Sequence, residues 1–335
     1  MSAHRGVRQP GLDELRLLAK VARMYHEKGI RQPRIASELN LSQARVSRML
    51  KQAVEVGIVH TVVTMPSGVH SDLEDELQGR YGLRDAVVVD TGGLSVGPSG
   101  LAEGVDEDVL PALGSGAAAY LDMTLTGGHL IGISSWSETL ISAVDRMPRK
   151  SVPVAEKVVQ IVGGLGDAAV QMQATRLTAR FAELTGAMPV YLPAPGLVGT
   201  PAVRRAMMND VSVRDVLGTW GQLTDAVVGI GSLQPSPLLQ RSGNAVAQAD
   251  QDELRRLGAV GDVCFRFFDE EGHHVRSTFD QRVIGVTAKE LLAVPRRIGV
   301  AGGDRKYSAI RAALLGGWVN ILITDLSMAQ RLLAD

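Results

Sequence analysis

The stretch RQPRIASELNLSQARVSRM, Arg31 to Met49, decides how the amino-terminal part of this chain folds. Ile35, Ala36 and Leu39 share one side of a short helix predicted from Gln32 to Leu39. Pro33 is tolerated there because it lies in the first turn, where its missing N–H costs nothing. Asn40 and Leu41 make a turn. Ser42 is a natural N-cap for a further helix, Gln43 to about Val54, since a hydroxyl can accept from an N–H that the helix start leaves unpaired. Upstream, Leu15, Leu18, Ala22 and Tyr25 recur at helical spacing, with Val21 and Met24 beside them. They predict a first helix from Asp13 to Lys28, ended by Gly29. Downstream, GIVHTVVTM (Gly57 to Met65) alternates as a strand or wing would. Residues 1–65 therefore read as a helix-turn-helix, winged-helix-like domain.

The last of these helices carries the chemistry. Val46, Leu50 and either Met49 or Ala53 face inward, which leaves Gln43, Ala44, Arg45, Ser47 and Arg48 outward. Arg reads guanine bidentately, Gln reads adenine, and an Ala methyl meets the thymine methyl. Ser42, Ser47 and Lys51 suit phosphate contacts, as do Arg31 and Arg34 on the preceding helix. Charge agrees with this placement. Residues 1–60 hold 11 Lys/Arg against 5 Asp/Glu, a net of +6, whereas the rest hold 24 against 31, a net of −7. A basic head on an acidic body confines any contact with double-stranded operator DNA to the head. The plain alternative is a basic helical bundle with no nucleic-acid partner.

Residues 66–335 read as one large α/β domain. Apolar, strand-like runs lie at 86–89, 129–133, 158–162, 189–192, 226–230, 283–286, 298–301 and 319–324, with helical stretches at 72–81, 168–185 and 306–315. This is the signature of a mostly parallel, Rossmann-like sheet covered by helices. Small ligands bind such folds at the carboxyl ends of the strands. In GISSWSETL (Gly132 to Leu140), the hydroxyls of Ser134, Ser135, Ser137 and Thr139 and the backbone N–H groups can hold a phosphate, or can simply cap a helix. In VGIGS (Val228 to Ser232), Gly229 and Gly231 allow close backbone approach. In VAGGDRKYSAI (Val300 to Ile310), Gly302 and Gly303 precede Lys306, whose ammonium suits a phosphorylated ligand. Asp325, at a comparable strand end, either accepts from a sugar hydroxyl or caps the next helix. There is no complete dinucleotide fingerprint and no Walker sequence.

Other classes are disfavoured. One cysteine, Cys264, permits neither an intrachain disulfide nor a Cys-based zinc site, and its apolar setting predicts a buried thiol. No apolar run has membrane-spanning length and MSAHRGVRQPG lacks the apolar core of a signal peptide, so a cytoplasmic protein with no membrane partner is expected. No metalloprotease motif or nucleophile elbow appears, His273 and His274 read as solvated, and Asp225, Asp280 and Asp325 are the remaining acid–base candidates. No cofactor, metal or enzymatic activity is expected.

The motifs IRQPRIASELNLSQARVSRMLKQAVEVGIV, GGHLIGISSWSETL, VVQIVGGLG, YLPAPGLV, DAVVGIGS, GAVGDVCFRFFDEEG, RVIGVT and VAGGDRKYSAIRAALLGGWVNILITD, in this order and spacing, resemble the SorC family of sugar-responsive bacterial transcriptional regulators over nearly the whole chain. The resemblance implies an effector domain related in fold to phosphosugar isomerases and deaminases but acting as a sensor. It implies a phosphorylated sugar or polyol as effector, and assembly as a dimer or tetramer. It places phosphate recognition on Ser134, Ser135, Thr139, Gly302, Gly303 and Lys306, and the sugar end near Gln160, Gly229 and Asp325. The usual loop reads closer to SWGxTL; here Ser137 stands for the common Gly, and the variant resembles that of regulators linked to polyol metabolism. The alternative function is a phosphosugar isomerase or deaminase-like enzyme with a fused DNA-binding head.

Overall fold

A computed structural model describes residues 11–59, 68–91, 105–134, 137–164, 168–233 and 246–335. The chain divides into two compact units, Met1–Thr64 and Met65–Asp335.

In the first unit, α1 (Leu12–Ala22) runs into a π-helical turn (Arg23–Glu27), followed by α2 (Gln32–Glu38) and α3 (Gln43–Glu55). Leu18, Val21, Met24, Ile35, Val46 and Leu50 close a small core. Tyr25, expected inside, is exposed. In the π-helical turn it is Met24 that takes the inward position. Gly29 and Asn40 turn the chain between the helices at φ 63° and 54°. No strand has begun by Val59; the rest of the stretch predicted as a strand or wing lies outside the described residues.

The second unit opens with α4 (Ser71–Tyr81), β1 (Asp85–Val89), α5 (Val105–Thr124), β2 (His129–Ile133), α6 (Glu138–Arg146), β3 (Ala155–Gln160), α7 (Ala168–Thr185) and β4 (Met188–Val190). It continues through α8 (Pro201–Met208), α9 (Val211–Trp220), β5 (Asp225–Gly229), β6 (Gly231–Ser232), α10 (Gln248–Arg256), β7 (Gly261–Val263) and β8 (Arg266–Phe268). It ends with α11 (Ala288–Ala293), β9 (Arg296–Val300), α12 (Tyr307–Leu315), β10 (Ile321–Asp325) and α13 (Leu326–Ala334). Seven strands form one sheet in the order β1-β10-β9-β5-β2-β3-β4. All its pairings are parallel.

Alternation along each strand sends side chains to two cores. On β5, Val227 packs with α5, α6 and α7, whereas Ala226 and Val228 pack with α9, α12 and α13. Helices on both faces are what an all-parallel sheet requires. Two features depart from the expected pattern. Val283–Val286 is not a strand of the sheet; it makes single bridges, Val283 to Leu197 and Gly285 to Val162. A small antiparallel sheet, β6-β7-β8, rises from the carboxyl end of β5.

Candidate functional site

All nine residues assigned above to DNA, namely Arg31, Arg34, Ser42, Gln43, Ala44, Arg45, Ser47, Arg48 and Lys51, are exposed. Burial of Val46, Met49, Leu50 and Ala53 turns the opposite side of α3 outward. Ser42 caps the helix, its Oγ accepting from Arg45 N at 3.2 Å. Arg31 occupies the cap position of α2 without a side-chain cap bond. Arg34 is drawn to Glu38 at 3.0 Å and Lys51 toward Glu55 at 4.0 Å, exposed pairs that yield readily to a stronger anion.

In the second unit the sheet order reverses between β2 and β5. The chain leaves β2 toward β3 on one side and, by way of β6 to β8, leaves β5 toward β9 on the other. That crevice is where open α/β sheets take ligands. Ser134 and Gly229 meet across it, with Gly229 N donating to Ser134 Oγ at 3.3 Å. Ser137 stands over Gly229: a Cβ built there would lie 2.8 Å from Ser137 Oγ. Ser137 is the N-cap of α6, accepting from Leu140 N at 3.3 Å. Its φ of −124° is ordinary extended backbone, so the position makes no demand for glycine. Thr139 is buried in the first turn of α6, and Ser135 lies outside the described residues.

On the neighbouring strands, Asp325 at the end of β10 accepts from Gly303 N at 2.9 Å, Ser327 Oγ at 2.8 Å and Met328 N at 3.0 Å. It is 2% exposed. Both carboxylate oxygens are thus engaged in capping α13 and holding the turn after β9, the second of the two roles read for Asp325 from the sequence. Gly302 is needed for the same reason, since a Cβ there would stand 2.2 Å from Asp325 Oδ2. Gln160, at the end of β3, is similarly engaged: its Oε1 accepts from Leu192 N at 2.9 Å and its Nε2 donates to Thr178 Oγ1 at 3.4 Å. Gln160 and Asp325 shape the crevice more than they offer free polar atoms to it.

Lys306 ends the short 3-10 turn Asp304–Lys306 and precedes α12. Its charge acts on Asp262, a residue the sequence reading passed over. Asp262 Oδ2 accepts from Phe265 N at 2.9 Å, and a Cβ on Gly231 would stand 2.1 Å from its Oδ1. Burial pushes the Asp262 carboxyl up to about 6, against the pull of the Phe265 N–H and of Lys306. The hairpin that positions it turns on Cys264 and Phe265, both left-handed at φ 54° and 60°. That turn normally calls for Asn-Gly, and its absence concealed the hairpin. Cys264 is buried as expected, and burial raises its thiol well above the ordinary range.

Two acid–base candidates lie elsewhere. Asp225 is at the amino end of β5, beside His129 Nδ1 (2.6 Å), Arg296 Nη1 (2.7 Å) and Thr224 Oγ1 (2.6 Å). This cluster, with the Asp225 carboxylate fully buried at its centre, closes the end of the sheet opposite the crevice. Asp280 is paired with Arg266 at 2.7 Å and with His274 Nε2 at 3.1 Å. His274 is therefore half-buried against Asp280 and Trp318, not solvated; His273 is exposed.

Residues 67–334 match the Sugar-bind family model, "Putative sugar-binding domain". The sorbitol operon regulator of Klebsiella pneumoniae is 30% identical over 325 residues, covering 96% of this chain and 98% of that protein. The chain belongs to the SorC family of sugar-binding transcriptional regulators. The deoxyribonucleoside regulator of Bacillus subtilis is 33% identical over 323 residues, 96% of this chain and 99% of that one. The crystal structure of full-length SorC from Klebsiella pneumoniae superposes with a TM-score of 0.70 at 29% identity, covering 96% of this chain and all of that one. Membership in the SorC family thus spans both units, from the helical head to the sheet. Among the described residues no helix is long and apolar enough to cross a membrane.

Proposed function

We propose that this chain is a cytoplasmic DNA-binding regulator of a carbohydrate or polyol catabolic operon, controlled by a small phosphorylated sugar or polyol. The head, residues 1–65, reads double-stranded operator DNA with Arg45, Arg48, Gln43 and Ala44, while Arg31, Arg34, Ser42, Ser47 and Lys51 meet phosphates. The body, residues 66–335, binds the effector and carries the dimer or tetramer contacts. One observation carries the sensing role. The carboxyl ends of β2, β5, β9 and β10 are adjacent in the sheet, with Ser134, Ser137 and Gly229 meeting at the switch point and the turn that carries Gly303 and Lys306 following β9, the neighbour of β5; this adjacency supports a shared effector site. The two curated relatives are named as regulators, one of a sorbitol operon and one for deoxyribonucleosides, which supports a sugar or polyol as effector. A ligand that binds two arrangements of the oligomer unequally shifts the spacing of its heads and so its grip on paired half-sites.

The test is thermal unfolding of the full chain against sugar and polyol phosphates and their unphosphorylated forms. A selective rise with one ester is expected, since a ligand specific for the folded form must raise apparent stability. The Lys306→Ala variant should lose that rise while its apo form still binds operator DNA. A normal rise in that variant would remove Lys306 from phosphate recognition. The second reading, an isomerase or deaminase-like enzyme, rests on Asp262, whose carboxyl at about 6 beside Lys306 suits acid–base work. Turnover of a stabilising ester by the wild type, lost in Asp262→Asn, would favour the enzyme.

A further inference from the structure

A second polar cavity, of about 290 Å³, lies apart from the crevice and shares no residue with it. Arg204, Arg205, Arg266, His274, Asp280 and Gln281 line it. Their charges do not balance. Arg266, 2% exposed, spends its charge on Asp280 at 2.7 Å and donates to the carbonyls of Gly285 (2.9 Å) and Val286 (2.8 Å). His274 shares the same Asp280 oxygen. Although burial works to raise it, His274 and Arg266 bring the Asp280 carboxyl down to about 2, both through its Oδ1.

Arg204 and Arg205 are left over. The hydrogen bond of the Arg204 side chain among the described residues runs from Nε to Val283 O at 2.7 Å, and Arg204 lines the cavity. Arg205 makes neither a hydrogen bond nor an ion pair with a described residue. Burial and then repulsion from Arg266 push Arg204 down from its ordinary range, while Asp280 and Glu290 only partly offset this. Glu290 is itself spent on the capping box of α11, where its Oε2 accepts from Thr287 N and Oγ1. A half-buried guanidinium whose positive neighbour outweighs its carboxylates, with an exposed arginine beside it, fits a planar or tetrahedral oxyanion, which arginines bind through paired N–H groups.

We propose that the Arg204–Arg205 cavity is a second anion site, built for a phosphate group and separate from the strand-end crevice. The phosphate is either free or carried on an ester. Its position gives it a route to the crevice. The Val283–Val286 segment is held on its cavity side by Arg204 and Arg266. On its other side Gly163 N donates to Ile284 O (3.0 Å) and Val286 N to Ile161 O (2.7 Å), along the continuation of β3.

The test is calorimetric titration of the full chain with inorganic phosphate and with glucose 6-phosphate, at ionic strength matched by chloride. Arg205→Glu is the main variant, because its exposed side chain supports no fold contact; Arg204→Gln is the second. Inorganic phosphate should bind the wild type and Lys306→Ala alike, and should bind Arg205→Glu at least about tenfold more weakly, as expected for one lost charge-assisted hydrogen bond. Binding of the ester that is tighter than that of phosphate and depends on Arg205 would make an ester the occupant; equal binding would make it the free ion. Phosphate binding unchanged in both arginine variants, abolished by Lys306→Ala, or absent from the wild type would overturn the proposal. The result does not depend on which effector the crevice takes.

Discussion

Replacing Gly302 by Ala should destabilise the second unit through one defined contact. A Cβ at Gly302 would stand 2.2 Å from Asp325 Oδ2 and 3.1 Å from Leu113 Cδ1. Real Cβ contacts do not fall under 3.0 Å, so the carboxylate or the backbone must shift by about 0.8 Å or more. Asp325 has little room to give, being buried and held by Gly303 N, Ser327 Oγ and Met328 N. The bond from Gly303 is the one in the path of the new methyl. A hydrogen bond to a charged group contributes about 1.5–3 kcal/mol, and weakening the cap of α13 costs about 1 kcal/mol more. The sum is about 2.5–4 kcal/mol, or roughly 4–7 °C in the melting temperature of a unit this size. Differential scanning calorimetry of the full chain measures it, with Gly218→Ala as the control. Gly218 lies in α9 with no atom within 4 Å of the point its Cβ would occupy, so Ala there should stabilise by roughly 0.5–1 kcal/mol. A Gly302→Ala protein melting with the wild type would show that Asp325 is not seated over Gly302, and the geometry of the turn after β9 would have to be redrawn.

The Asp262 carboxyl stands at about 6 in the fold, against about 3.9 in an unfolded chain. The folded state therefore holds this proton more tightly, and the stabilisation is full below about pH 4 and lost as pH rises through about 6. Asp262→Asn should remove that loss, narrowing the wild-type fall in stability between pH 4 and 7 by on the order of 3 kcal/mol in denaturant unfolding; identical pH slopes would contradict it. Ser42→Ala removes the hydroxyl that accepts from Arg45 N and should cost the first unit about 1 kcal/mol, read by loss of helical circular dichroism in urea. Arg45→Ala or Arg48→Ala should narrow the gap between operator and random DNA in binding assays by roughly 1–3 kcal/mol; equal losses on both DNAs would assign that arginine to phosphate.

The sequence by itself determined the head helix by helix, because a cap, a turn and a 3.6-residue apolar period are local signals. It also determined the parallel sheet, whose strands are continuous apolar runs buried on both faces, and the loops after β2, β5 and β9 that surround the crevice. It misread Val283–Val286, which has the composition of a strand but lies beside Ile161–Gly163 without joining the ladder. It placed Tyr25 inside because no local pattern announces a π turn. The tertiary structure alone decided the rest. Asp225 and Asp325 look alike in sequence, an acid at either end of an apolar run, yet one lies at the amino ends of the strands and the other at their carboxyl ends. Asp262 reaches Lys306 only because a hairpin turns through two left-handed residues that carry no glycine. Arg204 and Arg266 are far apart in the chain and come within repulsive range only when α8 and β8 pack on the same segment. Periodicity fixes what a residue does within its own element; which charges face one another across elements depends on long-range packing, which no local pattern encodes.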